Sequence, residues 1–421
     1  MLEKIKSKIT NILIKTQKYT GTDNIYIATH GSYLTLGNII STVTSFFLAM
    51  AFARLLPKNI YGQYDYILSL ITLIGIFALP GMETAIVQVV ARGMEGNFKE
   101  AVKKRFKYAL LGSIVCFLLG VYFFINHNIA FSISFFVATI FFPLMEPSAS
   151  YLSYLGGKKL FGVQVKYSTL TQIIASICTI ITLFLTRNLI ILILVYFASN
   201  TVLRIYFLLR TLKKYPPNEN RDSKCINFGK HLTVIEVIET IAGQLVNILL
   251  FNFLGAVQLA IYSFVTLPTK QALYFLKSIR QLVLPKLAAR PTEEIRKTLL
   301  KKVGKSFLFI IPMIIIYILI APYVYKIFFP QYMESVPYSQ LFVLTLLAFP
   351  LTILSTTFSA KMMKKQMYQI SIFTNVAKII LLLIMIPFYG IIGAVMAQLL
   401  TQLFYSILVF VSFKRADYKN L

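Results

Sequence analysis

The most regular feature of this sequence is a series of long apolar runs that recur from near residue 33 to residue 413. The runs are continuous rather than alternating, which is typical of membrane helices and not of membrane strands. A helix also satisfies its own backbone hydrogen bonds, as lipid requires. We therefore predict an all-α membrane protein with about twelve transmembrane helices. The predicted spans are 33–53, 66–90, 108–125, 129–151, 167–186, 188–209, 232–254, 259–283, 306–321, 338–360, 370–387 and 391–413.

The composition agrees with this pattern but leaves one question open. Hydrophobic residues make up 57% of the chain, charged residues 14%, and the mean hydropathy is +0.73. The formal charge is +27, because 42 Lys and Arg residues face 15 Asp and Glu residues. A nucleic-acid-binding protein could carry the same charge, so the placement of the basic residues has to distinguish the two classes.

The basic residues are placed almost entirely on one side of the predicted spans. The N-terminal segment, the loops after even-numbered spans with the helix ends beside them, and the C-terminal tail hold 36 of the 42. The loops after odd-numbered spans hold 4, and Lys270 and Lys378 lie within spans. By the positive-inside rule both termini are predicted to be cytoplasmic. This placement explains the net charge without nucleic acid as a partner.

The first 20 residues combine lysines with apolar residues at helical spacing. No small-residue cleavage site follows them, so we do not interpret them as a signal peptide. A basic helix in the membrane interface is our prediction, and a disordered basic tail is the alternative.

A shift of the chain by 198 residues aligns it in part with itself. Ala91-Arg92 then falls on Ala289-Arg290, and Lys103-Lys104 falls on Lys301-Lys302. Six spans separate the two copies, so both halves have the same orientation, as in a parallel repeat. The sequence therefore predicts two six-helix lobes related by a pseudo-two-fold axis along the membrane normal. We expect an N-terminal lobe over 1–212, a cytoplasmic linker over 213–230 and a C-terminal lobe over 231–421.

Polar residues form faces on the helices of both lobes and predict a central cavity between them. Small polar residues in such faces could instead be ordinary contacts between packed helices. The candidate cavity residues are Asn38 in span 1, Asn247 in span 7, Lys270, Tyr274, Lys277 and Gln281 in span 8, and Lys378 in span 11.

Ionisable side chains inside membrane spans are costly, and they usually face a wet cavity, an ion path or one another. The lysines could therefore form a cationic lining that attracts an anionic headgroup such as a pyrophosphate. Glu83, Glu236 and Glu239 are candidates for coupling to an ion. The structural alternative is that Glu236 or Glu239 pairs with a lysine of span 8 and holds the lobe together.

Several kinds of chemistry lack support in the sequence. There is no Walker A loop, so the chain is not predicted to hydrolyse ATP. Cys116, Cys178 and Cys225 show no disulfide or metal spacing, and the three histidines are far apart. We also find no nucleophile motif and no long external loop. The sequence therefore predicts a transporter rather than an enzyme, with no catalytic residues, no metal site and no cofactor.

Two segments resemble bacterial polysaccharide flippases of the Wzx-like family, in the multidrug/oligosaccharidyl-lipid/polysaccharide exporter (MOP) superfamily. The first is FARLLPKNIYGQYDYI (52–67), which resembles the junction of spans 1 and 2 in that family. The second is LPTKQALYFLKSIRQLVLPKLA (267–288), which is similar to its span 8. The residues that match the pattern of the first segment are Ala53, Arg54, Leu56, Tyr61, Gly62 and Tyr64.

The resemblance implies a fold like that of multidrug and toxin extrusion (MATE) transporters, with two six-helix bundles around a central cavity. It also implies a flippase that moves undecaprenyl-pyrophosphate-linked oligosaccharides across the bacterial inner membrane by alternating access. Such repeat units feed the synthesis of O-antigen, and hence lipopolysaccharide, or of capsule. The expected partners are the lipid-linked oligosaccharide and membrane lipids, with a polysaccharide polymerase and a chain-length regulator as further candidates.

Two other functions remain open at this point. A cation-coupled drug or metabolite antiporter of the same superfamily would depend more on Glu83 or Glu236 than on Lys270. Span 1 lacks the acidic residue that is typical of that branch. A membrane polysaccharide polymerase is the enzymatic alternative, and it would need the external loop or catalytic motif that this sequence lacks.

Overall fold

The computed structural model describes residues 24–288, 292–360 and 363–415, and within these ranges every regular element is a helix. The interfacial helix predicted over 1–20 lies outside the described residues. The α-helices are α1 Asn24–Leu55, α2 Lys58–Ile74, α3 Gly81–Ala91, α4 Asn97–Ile125, α5 Ile129–Ser148, α6 Tyr151–Gly157, α7 Phe161–Leu185, α8 Leu189–Lys214, α9 Cys225–Leu254, α10 Ala256–Ala288, α11 Thr292–Phe328, α12 Val336–Phe342, α13 Phe349–Ala360 and α14 Lys364–Arg415.

The helix lengths confirm a multi-pass membrane protein. Ten helical segments in the described ranges are long and apolar enough to cross a bilayer. The last of them, Lys365–Arg415, has 51 residues and is broken at Gly390, where φ is 58°, so it supplies two spans. Helix α10 is not among the ten, since Gln258, Lys270 and Gln271 lower its hydropathy. It forms the predicted eighth span, and the structure therefore contains the twelve predicted spans.

The second span is not the continuous helix predicted over 66–90. It begins earlier, at Lys58, and α2 gives way to a 3₁₀ turn over Gly75–Ala78 before α3 begins. Leu79 adopts a left-handed conformation with φ 52° at this break. Pro80 explains the interruption, because it has no backbone N–H to donate and its ring disfavours a continuing helix.

The tenth and several other spans also differ from their predicted limits. The tenth, predicted over 338–360, consists of α12, a 3₁₀ segment Val343–Ala348 and α13. Helix α4 begins at Asn97 rather than near 108, and α11 begins at Thr292 rather than near 306. The basic residues assigned to loops at these places therefore lie on helices that extend beyond the apolar run.

Short polar residues begin two of the outer helices. The Asn128 side chain accepts a hydrogen bond of 3.2 Å from the Phe131 backbone N–H at the start of α5. The Asn188 side chain accepts one of 2.8 Å from Ile190 at the start of α8. Each cap satisfies a backbone donor that the first helical turn leaves unpaired. The caps therefore fix the turns between α4 and α5 and between α7 and α8, at the side opposite the basic loops.

The two lobes meet closely at the side opposite the basic loops. A Cβ atom added to Gly62 of α2 would lie 1.8 Å from the carbonyl oxygen of Ala256 at the start of α10. The rings of Tyr66 in α2 and Phe251 in α9 stack with centroids 3.8 Å apart. Tyr66 belongs to an apolar core that draws on both lobes, and Phe251 packs against that core. The lobes are thus in direct contact on this side of the molecule.

A second contact between the lobes lies toward the basic side and involves α3 and α9. A Cβ atom on Gly81 would lie 2.3 Å from the backbone nitrogen of Thr233. A Cβ atom on Gly229 would likewise lie 2.6 Å from the Met82 sulfur. Helix α9 therefore contacts the N-terminal lobe near both of its ends.

The segment between the lobes is held against the loop that follows α3. Helix α8 ends at Lys214 and α9 begins at Cys225, and the intervening residues form no helix. Asn97 donates a 2.9 Å hydrogen bond to the Asp222 carbonyl and accepts one of 2.7 Å from the Asp222 N–H. Asp222 also pairs with Arg92 at 3.1 Å. The domain limits near 212 and 231 remain a prediction.

Candidate functional site

Three charged residues from both lobes come together at membrane depth. Lys270 of α10 lies within electrostatic range of Asp65 of α2 and of Lys378 of α14. Asp65 also accepts a hydrogen bond from the Ser263 hydroxyl of α10. Lys270 is exposed although it lies midway along its helix, and Lys378 is half-buried. The structure therefore brings together two of the predicted cavity lysines and adds a carboxylate from the opposite lobe.

The other predicted cavity residues are distributed around this charged group. Asn247 of α9 donates a 2.9 Å hydrogen bond to the Ser69 hydroxyl of α2, which joins the two lobes. Tyr274 follows Lys270 by one helical turn and has 53% of its surface exposed. Asn38 is half-buried on α1. Lys277 and Gln281 lie on α10, but their side chains are outside the described residues.

The three acidic candidates belong to a different cluster. Glu83 at the start of α3 pairs with Arg105 of α4, with Oε1 and Nη1 3.0 Å apart. Glu236 of α9 lies within electrostatic range of Glu83, Glu239 and Arg105. Glu239 accepts a 2.6 Å hydrogen bond from the Ser371 hydroxyl of α14. Among the described ion pairs, neither Glu236 nor Glu239 pairs with a lysine of the eighth span.

Arg105 is a central residue that the sequence pattern did not identify. Its side chain is 1% exposed, and its Nε donates a 2.9 Å hydrogen bond to the Ala78 carbonyl. Its Nη1 donates a 2.7 Å bond to the Ser150 hydroxyl between α5 and α6. The Arg105 side chain thus satisfies a carbonyl at the break in the second span. The sequence predicts a loop position for Arg105, because it stands in the basic run KKRFK (103–107) before an apolar run.

The N-terminal lobe contains a cavity of about 460 Å³ between α1, α2, α6, α7 and α8. Asp65 and Arg204 contribute to its wall, together with hydroxyl and amide groups such as Gln172. Gln172 donates a 2.9 Å hydrogen bond to the Ser45 hydroxyl, and Arg204 pairs with Glu146 at 3.4 Å. Asp65 did not appear among the sequence candidates. Its signal was present, since it is a carboxylate close to an apolar run.

The C-terminal lobe contains a smaller cavity of about 380 Å³, which we call the C-lobe pocket. It lies between α9, α13 and α14 and combines hydroxyl, amide and carboxylate groups with apolar side chains. Its wall is formed by Glu239, Ser355, Phe358, Met367, Ile370, Ser371, Thr374, Asn375 and Tyr405.

The described ranges contain no cluster of three or more His, Cys, Asp or Glu side chains that could hold a metal ion. Cys116 and Cys225 are buried and Cys178 is half-buried, and all three are free thiols. The walls of the two cavities present carboxylate, hydroxyl and amide groups, and the guanidinium of Arg204 in the N-terminal lobe.

Comparison with known proteins gives a family and a fold. A family model described as "Polysaccharide biosynthesis protein" matches residues 27–289, and no curated protein sequence matches the chain. An inward-facing multidrug resistance MATE transporter of the MOP superfamily superposes with a TM-score of 0.64 at 12% identity, covering 89% of this chain and 94% of that one. An outward-facing MATE structure gives 0.58 at 14% identity, covering 91% and 94%.

A third related structure is a MOP superfamily transporter from Pyrococcus furiosus, which is described as having a binding pocket of reversed polarity. Its TM-score is 0.55 at 14% identity, and the match covers 92% of this chain and 96% of that one. At such identities the likeness establishes the fold alone. The chain has the all-α fold of these transporters, as the sequence predicted.

Proposed function

Because this chain belongs to the polysaccharide biosynthesis protein family, we propose that it is a flippase for undecaprenyl-pyrophosphate-linked oligosaccharides, the repeat units of O-antigen or capsule. The observation that carries the proposal is the pair Lys270 and Lys378, two cations from different helices within electrostatic range of each other in the membrane-spanning region. Two such cations repel each other and are expensive to place in a membrane. An anionic ligand between them would remove that cost.

A pyrophosphate fits this arrangement chemically. It must leave its hydration shell to cross a bilayer, and fixed positive charges can replace the lost water. Lysine ammonium groups bind phosphate as point charges through charge-assisted hydrogen bonds. Asp65 would balance the charge of Lys270 when no substrate is bound, and the substrate would compete with Asp65 for it.

The two lobes suit transport by alternating access. Their polar interior can hold the headgroup while the polyprenyl tail stays in lipid, and rocking of one lobe against the other would move the opening from one side to the other. We further propose that the basic side faces the cytoplasm of a bacterial inner membrane, with both termini on that side. A polysaccharide polymerase and a chain-length regulator would then act on the product at the opposite side.

The test is a transport assay with purified protein in lipid vesicles that contain an undecaprenyl-pyrophosphate-linked oligosaccharide. Lys270→Ala should reduce the initial rate at least tenfold, and Lys270→Arg should retain more activity because it keeps the charge. Lys166→Ala removes an exposed lysine on α7 and serves as the matched control. Wild-type rates equal to those of protein-free vesicles, or an unchanged rate in Lys270→Ala, would contradict the proposal.

A cation-coupled drug or metabolite antiporter is the second candidate, and the fold shared with MATE transporters favours it. In that case Glu83→Gln and Glu236→Gln should abolish transport of cationic drugs, while Lys270→Ala should have little effect. Measuring drug export and lipid translocation with the same three variants would distinguish the two functions.

A further inference from the structure

The C-lobe pocket contains a set of polar groups that are already oriented by one another. Ser371 donates its hydroxyl proton to Glu239, and Asn375 donates a 2.9 Å hydrogen bond to the Ser371 carbonyl. Across the pocket, the Tyr405 hydroxyl donates a 2.9 Å bond to Ser355. These contacts fix the direction of the carboxylate and hydroxyl groups before any ligand enters.

One polar atom in this wall has no hydrogen-bond partner in the described part of the chain. The Thr374 hydroxyl oxygen is buried and forms no hydrogen bond with the described residues. A buried polar group without a partner is destabilising, so a ligand hydroxyl that reached Thr374 would offset part of that cost.

Four wall or neighbouring residues place the pocket and one of the proposed phosphate-binding lysines on the same face of α14. Ser371, Thr374, Asn375 and Lys378 stand at i, i+3, i+4 and i+7 and therefore share one face of the helix. Seven residues of helix separate Ser371 from Lys378 by about 10 Å along the axis. A headgroup with its phosphate at Lys378 would place the next chemical unit, the first sugar, beside the pocket.

We propose that the C-lobe pocket binds a neutral or amino sugar of the lipid-linked headgroup, with Glu239 as the acceptor for sugar hydroxyl groups. This inference rests on the proposed flippase function and adds a substrate class to it. A sugar offers alternating hydroxyl groups and apolar C–H surfaces. The pocket offers Glu239, Ser371 and Asn375 for the first, and Tyr405 and Phe358 for the second. A sugar acid at this position is disfavoured, because its carboxylate would face that of Glu239.

A bare cation is a poorer fit for the same pocket. Cations such as Ca²⁺ require about six to eight oxygen ligands within 2.3–2.6 Å, which is a compact site. The C-lobe pocket has a volume of about 380 Å³, and among the described residues of its wall Glu239 is the one that carries a charge. Its size and its mixture of polar and apolar groups favour an organic ligand of the size of a sugar.

The experiment measures binding of two lipids to the purified full-length protein. One is undecaprenyl pyrophosphate that carries a neutral disaccharide, and the other is undecaprenyl pyrophosphate without sugar. Glu239→Gln should weaken binding of the first about tenfold and leave the second unchanged. Ser371→Ala, which removes the hydroxyl that orients Glu239, should have a smaller effect in the same direction. Lys378→Ala should weaken binding of both lipids.

The controls separate this inference from the function on which it depends. Glu219→Gln changes an exposed carboxylate in the linker between the lobes, outside the pocket wall, and it should leave both affinities unchanged. If wild-type protein binds neither lipid, the flippase proposal fails and the sugar site fails with it. If it binds both lipids but Glu239→Gln and Ser371→Ala alter neither, the sugar site is wrong and the function stands. The sugar site would also be wrong if Glu239→Gln weakened binding of both lipids equally and only in the presence of sodium.

Discussion

At the scale of single residues, Glu95 illustrates how a loop carboxylate fastens this protein together. It receives hydrogen bonds of 2.9 Å from the Lys158 ammonium, 3.0 Å from the Tyr154 hydroxyl and 3.3 Å from the Asn218 backbone. Partial burial by itself raises the pKa of Glu95, but the bonds from Lys158 and Tyr154 outweigh it and hold the pKa below its ordinary value. Glu95 therefore joins the loop after α3, the end of α6 and the linker between the lobes.

This lowered pKa predicts the direction of a pH effect. A carboxylate with a lower pKa in the native state contributes stability that is fully present above its unfolded pKa of about 4.3. The contribution is lost as the pH falls through the native pKa. Thermal unfolding in detergent should therefore show a smaller loss of Tm below about pH 4.3 in Glu95→Gln than in the wild type. Glu219→Gln, an exposed change in the same linker, is the control, and equal acid sensitivity of all three proteins would contradict the role of Glu95.

At the residue scale, the sequence identifies candidates where charge and membrane depth coincide, and their role in binding stays a prediction. Lys270 and Lys378 stand inside apolar runs, so their unusual position is visible without a structure. Their relation to Asp65 was not visible, because Asp65 and Lys270 are more than 200 residues apart in the chain. Arg105 escaped notice for a related reason. Its structural role is to donate a hydrogen bond to the Ala78 carbonyl at the break in the second span. Hydropathy does not indicate that break.

At the scale of elements, close approach between helices depends on a few glycines. Gly62 of α2 leaves room for the backbone of Ala256, and an added Cβ would collide with a main-chain oxygen that cannot easily move. Gly243 in the middle of α9 has open space at the same position. The two glycines therefore have opposite expected responses to the same substitution.

Gly62→Ala should destabilise the protein by about 1–3 kcal/mol, as overpacking of a closely fitted interface does. Gly243→Ala should be neutral or stabilising by up to about 1 kcal/mol, because alanine restricts the unfolded chain and favours the helix. Denaturation of the two variants in the same detergent measures both effects. A Gly62→Ala protein as stable as Gly243→Ala would show that the lobes are not closely packed at this point.

Hydropathy predicted the positions of the helices well, but it did not predict where a helix is interrupted within a span. The twelve apolar runs all correspond to helices because a backbone in lipid finds no water and must form its hydrogen bonds internally. The break in the second span was not predicted, since it lies inside apolar sequence. The break at Gly390 falls between the predicted spans 370–387 and 391–413. Pro80 was present as a signal, but prolines also occur within continuous helices of this chain, such as Pro312 and Pro322 of α11.

At the scale of the whole molecule, the lobes are joined by polar contacts at the side opposite the basic loops. Lys58 at the start of α2 pairs with Glu334 in the 3₁₀ segment Pro330–Ser335. Nearby, Arg54 donates a hydrogen bond to the Ile327 carbonyl, and Gln331 donates one to the Arg54 carbonyl. Beneath them lies an apolar cluster from both lobes that includes Ala260. These contacts close this side in the conformation described.

Glu334→Lys should favour opening of that side, because it replaces an attraction by a repulsion. A partly exposed ion pair is worth up to about 1 kcal/mol, which corresponds to roughly a fivefold change in the ratio of open to closed forms. A cysteine placed at the buried Ala260 should then react about fivefold faster with a thiol reagent, in a background without the three native cysteines. The double variant Lys58→Glu with Glu334→Lys exchanges the two charges and restores the attraction, so it should return the labelling rate to the slow wild-type value. An unchanged rate in Glu334→Lys would mean that the ion pair does not hold the lobes together.

The linker held by Glu95 and Asn97 has a consequence for how the chain is made. All of its partners lie before Cys225, so the N-terminal lobe can fasten its own linker while the rest of the chain is still being synthesised. About 200 residues follow Cys225 in this sequence, which corresponds to roughly 10–40 s of translation at 5–20 residues per second. During that interval the first six spans can already be packed in the bilayer and present the α3 surface on which α9 then docks. Mutations that weaken the Glu95 and Asn97 contacts should therefore reduce the yield of inserted protein more than they reduce the activity of each molecule that matures.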